Sequence, residues 1–191
     1  MTQRDVIARN GVTKQSPLLN LCAGALGAIM QTLTAMGESV GALLKERKQT
    51  IAVAESSAGG LISAALLSVP GASAYFLAGG IIYTHDARRA LLAVPDEELT
   101  GLRASTEEYA LRLARAVRER LGTTWGLSET GATGPTGNRY GDAAGHACVA
   151  VAGPIEQTVT IETRHGNREL NMWSFTQTAL ELLENCIKKS A

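Results

Sequence analysis

The strongest constraint on the fold is a strand-length apolar run that empties into a glycine turn. Thr50-Ile-Ala-Val-Ala54 has neither a break nor an alternation, the signature of a buried strand. It meets Glu55-Ser-Ser-Ala-Gly-Gly60, after which Leu61 to Val69 takes helical spacing. That strand-turn-helix unit is repeated in looser form downstream. Pro70-Gly71 stops the helix, Leu77 to Thr84 reads as a second strand, and a short charged helix follows from about Asp86 to Ala93. Glu107 to Leu121 is the clearest helix, with Tyr109, Leu113, Val117 and Leu121 on one face and Thr106 as its cap. Trp125 to Thr130 reads as a strand entering Gly131-Ala-Thr-Gly-Pro-Thr-Gly137. Gly145 to Ala152 and Gln157 to Arg164 read as two more, joined through Gly153-Pro154, and Arg168 to Lys188 as a closing helix. Alternating strands and helices with glycine turns predict an α/β domain whose ligand site lies at the strand carboxyl ends.

Upstream, Leu19, Cys22, Leu26, Ile29, Leu33, Met36, Val40 and Leu43 repeat at 3-4-3-4 spacing, the seam of an amphipathic helix. Gln15 to Gly37 is uncharged, but Asn20, Gln31, Thr32 and Thr34 make it a poor membrane span, and its seam continues into the charged stretch Glu38 to Lys48. The expected organisation is a flexible tail over 1–17, a helical arm over 18–34 and the α/β domain over 35–191. An apolar seam not buried within one copy predicts a homo-oligomer, and with neither a span nor a signal segment the expected location is cytoplasmic.

Eighteen Lys and Arg balance 18 Asp and Glu among 191 residues, so there is no global basic field for nucleic acid. The aromatic residues are too scattered for a base-stacking platform. Cys22, Cys148 and Cys186 are far apart and form neither a disulfide framework nor a ligand cluster with histidine, so no metal is expected. Any anionic ligand must meet local positive charge.

Two turns are placed for chemistry. Ser56 or Ser57 at a helix start can cap the helix, or act beside backbone donors that stabilise an anion or oxyanion. Gly131, Gly134 and Gly137 let the backbone approach a phosphate, although the spacing matches neither a Walker loop nor G-x-G-x-x-G.

Together these segments resemble the C-terminal domain of the competence/damage-inducible protein CinA, the nicotinamide mononucleotide deamidase family. The resemblance is carried by Ala54-Glu-Ser-Ser-Ala-Gly-Gly-Leu61 against the family's A-E-S-C-T-G-G, by Pro70-Gly-Ala-Ser-Ala-Tyr-Phe76, by Gly80-Ile-Ile-Tyr-Thr84 followed by Ala87, and by Thr130-Gly-Ala-Thr-Gly-Pro135 against T-G-I-A-G-P. It implies a three-layer α/β/α domain that hydrolyses the carboxamide of nicotinamide mononucleotide to nicotinate mononucleotide and ammonia, without metal or redox cofactor. By position, the family's catalytic serine falls on Ser56, its tyrosine on Tyr83, and its lysine on Arg88. Glu55, Ser57, Gly59, Gly60, Thr130, Gly131, Gly134 and Arg168 become the candidate residues for substrate and phosphate.

The departures bear on the chemistry. A guanidinium stays charged and cannot serve as the base that a desolvated lysine provides, so Arg88 is not a simple replacement. His85, where the family has Asn, lies two residues past Tyr83 and on the same side if the strand continues, and an imidazole suits proton transfer at neutral pH. It is the candidate base, against the alternative of an exposed turn residue. Ser57-Ala58 replaces Cys-Thr, Asp142-Ala-Ala-Gly145 replaces K-P-V-G, and Met172 replaces the second Arg of a G-D-R-x-x-x-R motif whose first Arg is Arg168. Two expectations follow: an amidohydrolase acting on a pyridine nucleotide or related amide, or a catalytically impaired relative serving as a nucleotide-binding, regulatory or oligomerisation module.

Overall fold

A computed structural model describes residues 32–190 of the chain. Its elements are α1 (Leu33–Glu46), β1 (Ile51–Glu55), α2 (Leu61–Leu67), β2 (Phe76–Ile81), α3 (Glu107–Leu121), β3 (Trp125–Ala132), β4 (His146–Ala152), β5 (Gln157–Glu162) and α4 (Arg168–Lys189). Between β2 and α3 the chain makes a helical turn, His85–Ala87, that widens into a π-turn over Arg88–Leu92. The strands form one sheet in the order β2-β1-β3-β4-β5, with β1 parallel to β2 and β3, and β4 antiparallel to both its neighbours.

The period-2 pleat sorts the central strands into two cores. Ile51, Val53, Trp125, Leu127, Val149 and Val151 pack against Met36, Val40 and Leu44 of α1, Ile62 and Leu66 of α2, and Leu180, Leu183 and Ile187 of α4. On the other face Ala52 and Ala54 meet Tyr109, Leu113 and Val117 of α3, and Ala150 and Ala152 meet Ala110 and Ala114. The expected three-layer α/β/α arrangement is therefore present. Trp125 is fully buried and its indole N–H donates to Gln49 Oε1 at 2.9 Å, so the largest side chain of the core leaves no unpaired polar atom.

Two boundaries differ from the sequence reading. The apolar seam predicts one helix through residues 19–43, but among the described residues the helix starts after Thr32, whose backbone is extended and whose hydroxyl caps the Ala35 amide at 3.2 Å. The seam from Leu19 to Ile29 lies outside the described residues. Within α1 the buried stripe runs Met36, Val40, Leu44, with Gly37 and Gly41 also inside. Both sit at close approaches: a Cβ at Gly37 would lie 2.3 Å from the Ala65 carbonyl oxygen of α2, and one at Gly41 2.9 Å from the Tyr75 hydroxyl oxygen. The second boundary is at β2, which ends at Ile81 rather than Thr84: the Ile82 amide makes a last bond to the backbone carbonyl of Glu55, where β1 itself ends, and the chain then turns into the Thr84-capped helical turn.

The connections place the ligand site. From β1 the chain crosses through α2 to β2 on one side, then returns through α3 on the opposite face to β3 on the other side of β1. The loops leaving β1 and β3 diverge at their carboxyl ends, and a crevice opens at such a reversal of strand order.

Candidate functional site

A cleft of about 520 Å³ occupies that position. Ser56 lines it from the end of β1, and Thr130 and Gly131 from the end of β3. Ile82, Tyr83, Thr84 and His85 come from the turn after β2, Tyr109 and Leu113 from α3 with Ala104 and Ser105 before it, and Asn138, Arg139 and Tyr140 from the loop after β3. A volume of this size accommodates a nucleotide-sized ligand.

The serine turn is held by two fully buried carboxylates. Glu55 Oε2 accepts the amides of Gly60 (2.9 Å) and Ile62 (3.1 Å), while its Oε1 accepts the Ser63 amide (3.0 Å) and hydroxyl (2.6 Å). Glu129 reaches across from β3: its Oε2 accepts the amides of Ser56 (3.0 Å) and Ala58 (2.8 Å), and its Oε1 accepts the Ser57 hydroxyl. Burial, assisted by the Glu55 charge, pushes the Glu129 carboxyl up to about 6 against the pull of those three donors.

This corrects the reading of the turn as an anion cradle. The backbone donors at the start of α2 are engaged by the protein's own carboxylates. Glu55, Ser57, Gly59 and Gly60 shape the turn and do not line the cleft; Gly59 and Gly60 supply its left-handed backbone at φ +67° and +103°. Ser56 differs from them, because it lines the cleft and its hydroxyl makes no hydrogen bond among the described residues.

Tyr83 and His85 both line the cleft, but not through strand alternation, since β2 has ended before them. Tyr83 is 63% exposed, and its hydroxyl accepts from Arg168 Nη2 at 3.3 Å. His85 opens the helical turn, and its Nε2 lies 2.8 Å from Arg139 Nη2. Partial desolvation, and then the charges of Arg88, Arg139 and Arg89, hold its pKa below the ordinary histidine value against the opposing Asp86.

Arg88 departs furthest from its expected role. It is only 2% exposed, does not line the cleft, and turns its guanidinium to the Val94 carbonyl (3.2 Å) and the Asp96 carboxylate. A buried guanidinium takes the geometry that pairs it, and here the pairing fixes the segment following the π-turn. Arg168 and Gly134 also act away from the cleft wall: Arg168 Nη1 donates to the Gly134 carbonyl at 2.7 Å, clasping α4 to the glycine loop. Gly134 needs φ +104°, and a Cβ there would approach the Gly166 carbonyl oxygen to 2.8 Å.

Several positions that shape the cleft escaped sequence reasoning. Glu129 carried a signal, the one charged residue in the run Trp125 to Ala132, that calls for a buried partner. Ser105 is pinned at each polar group: its amide donates to Thr130 Oγ1 (3.3 Å), its hydroxyl accepts from Asn138 (3.2 Å), and its carbonyl faces His146 Nε2 (3.0 Å). His146 also places Nδ1 2.5 Å from Glu162. Burial opposes charging of this imidazole, but Glu162, the Ser105 carbonyl and Asp142 outweigh it and hold its pKa above the ordinary value. Asp142 takes a bidentate pair from Arg103 at 2.6 and 2.9 Å, which with Asn138 orders the loop presenting Arg139 and Tyr140. Nothing in the local sequence pattern announces these contacts.

Among the described residues no group of three or more His, Cys, Asp or Glu side chains is placed to hold a metal ion, and no helix is long and apolar enough to cross a membrane.

The profile of the CinA C-terminal domain family matches residues 33–187. A CinA-like protein of Desulfosudis oleivorans is 39% identical over 150 residues, covering 78% of this chain and 36% of its own length. A CinA-like protein of Synechocystis is 39% identical over 146 residues, covering 76% and 35%. The chain thus matches about a third of the length of these curated relatives. Among solved structures, a CinA superfamily protein from Klebsiella pneumoniae superposes with a TM-score of 0.77 at 22% identity, over 83% of this chain and 99% of that one. The competence/damage inducible protein from Agrobacterium tumefaciens gives 0.75 at 25% identity, over 83% and 99%. With the family's profile spanning the domain from α1 into α4, the chain belongs to the CinA C-terminal domain family.

Proposed function

We propose that this domain is an amidohydrolase that converts nicotinamide mononucleotide and water to nicotinate mononucleotide and ammonia, with Ser56 as nucleophile. The observation that carries the reading is the state of Ser56: its amide is fixed by Glu129, its hydroxyl is uncommitted among the described residues, and it stands in a cleft of nucleotide size. His85, on the wall of the same cleft, is the base. Ser56 Oγ attacks the carboxamide carbon as its proton passes to the imidazole. The carbon–nitrogen bond then breaks, and its electron pair and the imidazole proton leave with ammonia. Water adds to the resulting ester, giving one proton to His85, and Oγ departs with that proton restored. Tyr83 and Thr130 supply hydroxyls on the cleft wall to the developing oxyanion.

Arg88 supports a second reading. The position matched to the family's lysine is buried on Asp96, and Arg139 engages His85 Nε2, an arrangement suited to a nucleotide-binding or regulatory module without turnover. Ammonia release from nicotinamide mononucleotide by the parent, Ser56→Ala and His85→Gln proteins separates the readings. Release lost in both variants supports hydrolysis, and no release from the parent supports the binding module. Light scattering of the chain with and without residues 1–34 tests the self-association expected of the apolar seam.

A further inference from the structure

The cation on the cleft wall is Arg139, presented by the loop after β3. Its Nη2 lies 2.8 Å from His85 Nε2 and donates to the Tyr140 hydroxyl at 2.8 Å, and its guanidinium carbon stands 5.0 Å from the centre of the Tyr140 ring. Arg88, Arg89, Arg103, Arg112 and Arg115 are each held by a carboxylate. Arg139 is exposed and has no carboxylate partner among the described residues, only a neutral phenol and an imidazole. An oriented guanidinium with uncompensated charge and a planar fork of donors fits a phosphate. Arg168, the arginine matched to the family's motif, is turned to the Gly134 carbonyl and the Tyr83 hydroxyl and does not line the cleft, whereas Arg139 does.

The contact with His85 adds a coupling. Guanidinium has no lone pair, so His85 Nε2 is the acceptor and the neutral imidazole carries its proton on Nδ1. A proton on Nε2 would replace a hydrogen bond with two cations in contact. As long as Arg139 holds this nitrogen, it cannot accept a proton from Ser56.

We propose that Arg139, with Tyr140 and His85, forms the docking point for the phosphate of a phosphomonoester ligand, and that docking draws the guanidinium from His85 and frees Nε2. The use of the freed nitrogen rests on the hydrolase reading, whereas the binding does not. The imidazole is surrounded by Asp86, Arg88 and Arg89 on its own segment, by Arg139 and Tyr140 from the loop after β3, by Tyr83 with Arg168 behind it, and by Tyr109 on the α3 wall. A dianion among these groups stabilises the imidazolium and raises the His85 pKa.

The test follows the His85 ring-proton resonance, assigned by its loss in His85→Gln, through a pH titration with and without inorganic phosphate or ribose 5-phosphate, and with ribose as the uncharged control. Ribose 5-phosphate should raise the His85 pKa by about one unit, and ribose should not. Arg139→Gln should raise the ligand-free pKa, abolish the ligand-induced shift and weaken binding at least about tenfold, while Arg168→Gln should leave affinity within about twofold. An unshifted His85, equal binding by Arg139→Gln, loss of binding in Arg168→Gln alone, or binding of inorganic phosphate but not ribose 5-phosphate would each overturn the proposal. Ammonia release measured on the same samples keeps the readings apart: a phosphate-dependent His85 shift without turnover upholds the docking point and removes the hydrolase.

Discussion

Glu129 grips Ser56 from the neighbouring strand, accepting its backbone N–H at 3.0 Å with the same oxygen that takes Ala58 at 2.8 Å. The strand that forms one side of the crevice thereby sets the position of the hydroxyl on the other. Because that carboxylate is fully buried beside Glu55, its ionisation is linked to folding.

The Glu129 pKa stands raised from 4.5 to about 6 in the folded protein, so the native state binds a proton more readily than the unfolded chain. Stability should therefore fall as pH rises from about 4.5 to 6, by on the order of 2 kcal/mol from this group alone. Glu129→Gln can keep both amide bonds on its carbonyl oxygen and donate to Ser57 Oγ from its NH2. It should flatten the dependence across that window, as measured by urea unfolding at a series of pH values.

Glu55→Gln should behave oppositely. All four donors on Glu55 point at carboxylate oxygens, and the amide NH2 would face the Ser63 backbone N–H. Leaving buried donors unpaired costs about 1–3 kcal/mol, so denaturant unfolding should show this variant destabilised by roughly that amount at neutral pH, with Glu129→Gln at least as stable as the parent.

Ser56→Ala should leave stability within about 0.5 kcal/mol of the parent, because the hydroxyl makes no hydrogen bond among the described residues and the amide that fixes the turn is retained. Ammonia release should disappear. A stable protein that still releases ammonia removes Ser56 from the reaction.

Arg88→Lys tests the residue that replaces the family's lysine. The guanidinium spans the Val94 carbonyl and Asp96, which one ammonium cannot reproduce, so thermal unfolding should report a loss of about 1–3 kcal/mol. Turnover should not rise, since the side chain does not line the cleft. A gain of activity would require the lysine to reach a position that the guanidinium does not occupy.

His146 adds a second pH-linked contact. Both ring nitrogens face acceptors, and the folded pKa lies above the ordinary value of 6.5, so its stabilisation is complete below that value and lost as pH rises through the folded pKa. His146→Gln should lose this part of the pH dependence, followed by thermal unfolding between about pH 6 and 8. Hydrogen exchange at the Ser105 amide should accelerate in the variant, because the carbonyl of that residue loses its partner.

Strand and helix periodicity lies in the sequence itself, which is why β1, α3, β3, β4 and α4 were legible to within a few residues and why Thr106 could be named as a cap. The family's motifs, likewise local, brought Ser56, Tyr83, Thr130 and Gly131 to one cleft. The seam of α1 was displaced from Leu43 to Leu44, because close packing of Gly37 against α2 and of Gly41 against Val69 and Tyr75, rather than a coiled-coil repeat, decides which face is buried.

The sequence by itself determined the α/β class, the crevice at the strand ends and the identity of the serine turn, because each depends on the order of residues along one stretch of chain. Only the tertiary structure decided who serves that turn. Glu129 and Ser57 are 72 residues apart, His85 and Arg139 are 54, and Arg168 and Tyr83 are 85. Their pairings arise from the strand order that sets β3 beside β1 and swings the loops after β2 and β3 over the same opening. The same packing turned Arg88 from a presumed site residue into a buried brace, since a charge removed from water goes where a carboxylate and a carbonyl can hold it.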